Sequence, residues 1–341
     1  MSAVAKPITG PAPHSDEWYS LRLFNPDRQE RPIVFGASEA MKAVENPLEL
    51  YLLKRGEMDP PEQTEDMEVG SLMEPVVLEM YRRRSGNYIV TGCPMYFHGE
   101  HAFMAATPDA IGIPEKDGQL AFDKDGYWGV DAKTSHDRMF IKQALVDTDV
   151  NKYGAEETDM VPSYVLWQMQ QQCAVMGFPY VDVPVLFGRK YRIYRVDRDE
   201  TLIQALVDAE KELAERIINC DPPEPNWTHP QAKTCLQALN GLERDLSIVL
   251  SDEGFERWLN RTRRKEQIKE LEALNAEDEV RILAEMQSAE FALFPTGEKE
   301  IRRCVIAPTH YTEKDVEDVR SKVGQVKRNG YEYFRERKTS S

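Results

Sequence analysis

The sequence has no apolar run approaching the roughly 18 residues of a membrane-spanning helix. Its first residues, MSAVAKPITGPAPHSDEW, lack the apolar core of a secretory signal. A cytoplasmic protein with no membrane partner is therefore expected. Cysteine is scarce and scattered, at Cys93, Cys173, Cys220, Cys235 and Cys304. No two of these form a CxxC pair, which disfavours a zinc ribbon or an iron–sulfur cluster. Reduced, mostly buried thiols are the expectation. Positive charge is in deficit: 43 Lys and Arg face 59 Asp and Glu, a net charge of −16. That argues against a surface that coats phosphates generally. It leaves room for a locally basic groove, because metal-binding carboxylates add negative charge of their own. No internal repeat is present.

What is there is a chain of 341 residues, 41% hydrophobic and 30% charged, enough for a folded, soluble protein with a large core. It reads as one elaborate domain or a domain with an appendage. Residues 1–15, with their Pro and Gly, read as a flexible arm, and DEWYSLRLF opens the ordered part. FGASEAMKAV and PLELYLLKRG have the look of short helices, with Ser38 placed to cap the first. From Val69 to Ser85, the residues Val69, Leu72, Met73, Val76, Val77, Met80 and Tyr81 recur at helical spacing, with Glu74 at the margin of the stripe. Strands and turns follow through ATPDAIGI. Asp117-Gly118 and Asp125-Gly126 mark a loop before YWGVDAKTS, so the two segments read as neighbouring antiparallel strands. PSYVLWQMQQQCAVMG is a second clear helix. Val165, Leu166, Met169, Cys173 and Met176 face a core there, and Tyr164, Gln168 and Gln171 line an adjoining stripe.

YVDVPVLFG and KYRIYRVD predict a hairpin across Gly188-Arg189, and a helix with Asp199 near its start comes next. DPPEPNWTHP, Asp221 to Pro230, is the best boundary. The expected organisation is thus an arm over 1–15, a domain over 16–220 and a mainly helical extension over 221–341 with no assigned role. The tail KEIRRCVIAP…GYEYFRERK is expected to supply one hairpin. The mixed order of elements suits an α/β or α+β fold with a mixed central sheet flanked by helices.

Within a strand, positions i and i+2 share a face. Asp131 and Lys133 therefore point the same way, and Asp109 on the neighbouring strand can reach that face. With Glu74 on its helix, the carboxylates would make an all-oxygen site, which suits Mg²⁺ or Mn²⁺. Lys133 beside such a metal could orient a water or stabilise charge developing on a phosphate. For a lone D-x-K, a structural Asp–Lys pair is the commoner outcome. The company it keeps points elsewhere: an Asp after Pro108, a second Asp in an apolar strand, and a helix with a Glu before both.

These residues resemble the PD-(D/E)xK nucleases, and within them the lambda-type (YqaJ-like) phage recombination exonucleases, from about Trp18 to about Val196. WYSLRL is similar to the family's W-x-x-x-R segment, FGASEA to G-A-S-E, and EVGSLMEPVVLEMYRRRSG to its G-x-x-x-E helix. ATPDAI is similar to S-P-D-G, VDAKT to the E-x-K strand, and YVLWQMQQQCAVMG to the Y-x-x-Q-x-Q helix. The resemblance implies a restriction-endonuclease-like core. It implies Asp109 and Asp131 as metal ligands with the Ala132 carbonyl assisting, Glu74 as a further acidic ligand or water-positioning group, and Lys133 as the catalytic lysine. It also implies a terminal-phosphate pocket of Arg22, Ser38, Thr107 and Gln168.

The activity implied is a Mg²⁺-dependent 5′→3′ exonuclease on double-stranded DNA ends, with Mn²⁺ as a substitute. It would release mononucleotides and leave 3′ tails for strand annealing. A ring-shaped homotrimer, a single-strand annealing protein as partner and a bacterial host cytoplasm are implied with it. Another PD-(D/E)xK endonuclease and a non-catalytic DNA-end-binding module are the alternatives. The sequence departs from the pattern where Asp131 stands for the more frequent Glu, Thr107 for Ser and Ala110 for Gly, and where FNPDRQERPIV lengthens the link between Arg22 and Ser38.

Overall fold

The computed structural model describes residues 7–13, 15–28, 31–62, 64–116, 119–120, 126–135, 152–156, 158–244, 246–295 and 300–303. Through these the chain runs β1 (Ile8–Thr9), α1 (Asp16–Leu21), β2 (Phe35–Gly36), a 3-10 turn (Ala37–Glu39), α2 (Ala40–Glu45), α3 (Pro47–Arg55) and α4 (Glu65–Ser85). It continues with β3 (Tyr88–Thr91), β4 (Tyr96–Phe97), β5 (Met104–Ala106), β6 (Ala110–Ile113), β7 (Glu115–Lys116), β8 (Gln119–Leu120), β9 (Trp128–Val130) and β10 (Lys133–Ser135). Then come α5 (Ser163–Met176), β11 (Tyr180–Phe187), β12 (Lys190–Asp197), α6 (Glu200–Asn219), α7 (Ala232–Asn240), α8 (Asp252–Met286), β13 (Phe291–Leu293) and β14 (Glu300–Arg302). This is the expected mixed α/β order, with a helical C-terminal part.

Two sheets hold the site. In the smaller, the strand order is β1-β4-β5-β2. In the larger it is β10-β11-β9-β6-β3, with β12 on the other edge of β11. The segments around Asp109 and Asp131 are the antiparallel neighbours expected: Ala110 pairs Val130, Ile111 pairs Gly129 and Gly112 pairs Trp128. A Cβ at Gly112 would come within 2.0 Å of the Trp128 ring, so this crossing point needs a glycine. The β11–β12 hairpin turns at Gly188, whose φ is 57°.

Helix α4 is fastened to the larger sheet by polar ties. The Tyr81 hydroxyl donates to Asp182 Oδ2 at 2.6 Å and accepts from Trp128 Nε1 at 3.1 Å. Arg195 closes the far side of Asp182 with Nε donating to Oδ1 at 2.8 Å. Of the helical stripe, Val77 and Tyr81 are buried, but Val69, Leu72 and Val76 stand 46–69% exposed, so only the C-terminal half of the stripe meets the core.

Several expectations take another form. Ser38 is not a helix cap. It lies inside the 3-10 turn, and Glu39 closes the turn by accepting from the Gly36 N–H at 2.8 Å. The arm is ordered in part: β1 pairs with β4, and the Gly10 N–H donates to the Met95 carbonyl at 2.6 Å. The break between compact units falls after Arg244, not at Asp221. The reason is α7, which buries Ala232 and Cys235 and lays Cys235 in a core cluster with Leu48, Tyr51, Leu213 and Ile217. The loop signals Asp117-Gly118 and Asp125 lie outside the described residues, as does GYEYFRERK of the tail. The second unit, Asp245–Ser341, contains α8, capped at its start by Ser251, whose hydroxyl accepts from the Gly254 N–H. It also holds a β13–β14 hairpin, whose first strand, Phe291–Leu293, precedes the tail from which a hairpin is expected.

Helix α6 buries Glu210 completely, and neither carboxylate oxygen has a hydrogen-bond partner among the described residues. Burial, with the Glu39 charge adding, raises its carboxyl well above the ordinary range. A raised folded value makes the group cost stability as pH climbs from the unfolded value of about 4.3, and the cost is absent below it. Glu210→Gln is therefore expected to raise Tm at pH 7.5 by at least about 2 °C. The gain should vanish near pH 4, as read by circular dichroism melts across pH; a gain independent of pH would contradict the assignment.

Candidate active site

The site is built on an interruption in one strand. β9 and β10 lie along the same edge of β11, in one continuous register: Val130 pairs Asp182 and Lys133 pairs Val185. Between them, at Asp131–Ala132, the ladder breaks. The Asp131 N–H still reaches the Asp182 carbonyl at 3.0 Å. The Ala132 N–H instead donates to Asp109 Oδ2 at 2.8 Å. A backbone donor in such a place requires an acceptor, and Asp109, immediately ahead of β6, supplies it.

Asp131 is 1% exposed. Its Oδ2 accepts from Gln172 Nε2 at 2.6 Å and from Gln168 Nε2 at 3.2 Å. Its Oδ1 pairs with the Lys133 ammonium. Lys133 also donates to Gln168 Oε1 at 3.1 Å. Burial first, then the Asp131 charge, raises the Asp109 carboxyl well above its usual range; Lys133 offsets part of this and Glu74 adds to it. For Lys133, burial lowers the ammonium's value, but Asp131 and Asp109 outweigh it and the net direction is up. Glu74, half-buried on α4, thus acts on Asp109 through its charge.

Among the described residues, no three His, Cys, Asp or Glu side chains form a ready-made metal cage. The donor chemistry nevertheless fits a hard divalent cation. Two carboxylates and the Ala132 carbonyl are all oxygen, and the Asp131 and Glu74 charges act on Asp109 in the direction a bound cation would relieve.

Beside this group lies a cleft of about 220 Å³ lined by Trp18, Arg22, Ser38, Thr107, Asp109 and Gln168, among others. All four residues of the expected phosphate set therefore line one cavity, and Asp109 and Gln168 belong to both groups. Arg22 Nη2 donates to Ser38 Oγ at 3.3 Å, and the guanidinium lies 4.6 Å from the Trp18 ring. Trp18 Nε1 donates to Thr107 Oγ1 at 3.4 Å. The lengthened link between Arg22 and Ser38 loops away, with the Asn25 N–H donating to the Pro32 carbonyl at 2.8 Å, so the two residues still meet.

Sequence reasoning missed Gln170 and Gln172 and misjudged Gln171, since all three consecutive glutamines are buried. Gln172 holds Asp131. Gln171 Nε2 donates to both the Phe35 and Ala105 carbonyls, at 2.9 and 3.1 Å, and so ties β2 to β5 under the cleft. Gln170 bridges the Asp197 carbonyl and the Asp199 N–H. The available signal was the run itself: three amides in a helix flanked on both sides by apolar residues.

The mixed sheet, its strand break at Asp131–Ala132 and the second Asp supplied by the adjacent strand have the form that the resemblance to the PD-(D/E)xK nucleases implies. Residues 24–179 match the family model of the YqaJ-like viral recombinase domain. A curated relative, the uncharacterized protein YqaJ of Bacillus subtilis (strain 168), is 24% identical over 281 residues, covering 81% of this chain and 79% of the relative. Among solved structures, an alkaline exonuclease of Laribacter hongkongensis aligns with a TM-score of 0.40 and 16% identity, covering 55% of this chain and 89% of that one. The same enzyme in complex with dAMP aligns with a TM-score of 0.40 and 18% identity, covering 55% and 91%.

Gln171→Leu removes the donor shared by two buried carbonyls. The expected cost is about 2 kcal/mol, seen as a fall of roughly 4–8 °C in Tm. An unchanged Tm in the variant would show that Gln171 does not hold β2 to β5.

Proposed function

We propose that the protein is a Mg²⁺-dependent exonuclease, with Mn²⁺ able to substitute, that digests linear double-stranded DNA from 5′ to 3′. It releases mononucleotides and leaves 3′ single-stranded tails for recombination by strand annealing. One observation carries the reading: the Asp109–Asp131–Lys133 group and the Arg22–Ser38–Thr107 cleft are contiguous and share Asp109 and Gln168. The family match and the motif resemblance support the same class. On the strength of the resemblance, the proposal includes a ring-shaped homotrimer and an annealing protein as partner.

Asp109, Asp131 and the Ala132 carbonyl would hold the cation, with Glu74 nearby. When bound, such an ion supplies Lewis-acid polarisation of the scissile phosphate and lowers the pKa of water. The chain's own residues do the rest. Lys133, already held as a cation by Asp131 and Gln168, stabilises negative charge developing on the phosphate. Arg22 offers charge-assisted donors to a terminal phosphate, and the Ser38 and Thr107 hydroxyls and the Gln168 amide offer neutral ones. An end anchored there is confined beside the carboxylates, which converts encounter into positioning. A basic contact confined to this cleft reconciles DNA binding with the net charge of −16.

The test is digestion of linear and covalently closed duplex with Mg²⁺, with and without EDTA. The linear form alone should be degraded, EDTA should stop it, and Lys133→Ala should slow it by about 100-fold or more. Cutting of the circle would make the protein an endonuclease, and binding of ends without cutting a non-catalytic module. A 5′-phosphorylated end should be digested faster than a 5′-hydroxyl end, and Arg22→Ala should erase most of that preference. Equal rates on both ends in the parent protein would remove the phosphate role from the cleft.

A further inference from the structure

Arg22 and Ser38 are separated in sequence by an inserted loop, so something must bring and keep them together. The structure assigns that task to Lys54, a positioning residue that sets the conformation and charge of the terminal-phosphate cleft. This inference rests on the reading of the cleft as a phosphate site. Lys54 lies on α3 and is 2% exposed. Its ammonium has three donors, and three acceptors meet them: the Arg22 carbonyl at 2.8 Å, the Val34 carbonyl at 2.7 Å and Glu39 Oε2 at 2.8 Å. Its own carbonyl accepts from the Phe24 N–H at 2.9 Å. Arg22 and Phe24 stand at one end of the inserted loop and Val34 at the other. One buried side chain therefore closes the base of the loop from both ends.

The third contact governs charge. Glu39 Oε1 faces Arg22 Nη2 at 3.3 Å, while Oε2 takes Lys54 and the Gly36 N–H. Burial pushes the Glu39 carboxyl up, but Lys54 and then Arg22 more than reverse this, so it remains ionised. Burial pushes the carboxyl of Glu210, another buried acid acting on this pair, well above the ordinary range. Arg22, Lys54 and Glu39 together therefore carry a single positive charge on this side of the cleft. Without Lys54, the Glu39 carboxylate would have only Arg22 to neutralise it. The guanidinium would then be engaged by Glu39 and the pair would carry no net charge, so an incoming phosphate would have to compete with Glu39 for Arg22.

The experiment titrates inorganic phosphate into the full-length protein in EDTA, followed by ³¹P NMR, so that neither metal nor turnover enters. The parent should bind. Lys54→Met should bind about tenfold more weakly, the effect of one charge-assisted contact, while its far-ultraviolet circular dichroism stays that of the parent. Lys54→Met/Glu39→Gln should recover most of the lost affinity, because Arg22 is no longer neutralised by Glu39; a merely structural role for Lys54 predicts no recovery. Where Lys54→Met does not fold, Lys54→Gln, which keeps hydrogen-bond donors but not the charge, carries the same comparison. A folded single variant that binds like the parent, or a double variant no better than the single, overturns the assignment. A parent that does not bind phosphate overturns the reading of the cleft itself, and the role of Lys54 falls with it.

Discussion

The arrangement depends on one backbone amide that leaves its sheet. Because the Ala132 N–H is given to Asp109 rather than to a neighbouring strand, two adjacent strands are pinned together at the point where their acidic side chains sit. A ladder bond at this position would have left Asp109 without its donor and free to turn away. The same break lets Asp131 face α5, where Gln168 and Gln172 wait. Fold and site are thus coupled through a single local irregularity in an otherwise regular register.

The partners chosen for Asp131 are informative in electrostatic terms. Two of its three contacts are neutral amides, which satisfy lone pairs without cancelling charge. Lys133 is the cation among them. A buried carboxylate held mainly by amides stays a strong ligand for a positive ion, whereas one clamped between arginines would not. Asp109, half-buried, accepts the Ala132 N–H, and its raised value comes first from desolvation and then from the Asp131 charge, which Lys133 only partly offsets. At the other end of the cleft the logic is reversed: Glu39 is surrounded by cations and serves to hold them.

Much of this was legible in the sequence, for identifiable reasons. The antiparallel pairing of ATPDAIGI with WGVDAKT follows from alternation and length, and the α4 and α5 segments from helical spacing. The convergence of Arg22, Ser38, Thr107 and Gln168 was reachable only through the family resemblance, since these residues lie on four separate elements. Three features were out of reach. The break at Asp131–Ala132 leaves the alternation of side chains intact, so nothing in the residue pattern reports it. Lys54 sits in PLELYLLKRG as an ordinary last-turn lysine, and its burial is decided by the loop that folds over it. The boundary at Asp221 is a genuine change of composition, but α7 beyond it carries just enough apolar surface, Ala232 and Cys235, to pack back.

The uninterrupted register on the two sides of the strand break has an evolutionary consequence. Because β9 and β10 share one alignment on β11, the two positions between Val130 and Lys133 form a fixed-length window. Replacements inside the window, Asp for Glu or one small residue for another, alter reach by about a methylene and leave every neighbour where it was. An insertion or deletion of a single codon would rotate all of β10 to the opposite face and carry the lysine with it. Change at this locus can therefore proceed by substitution but not by change of length.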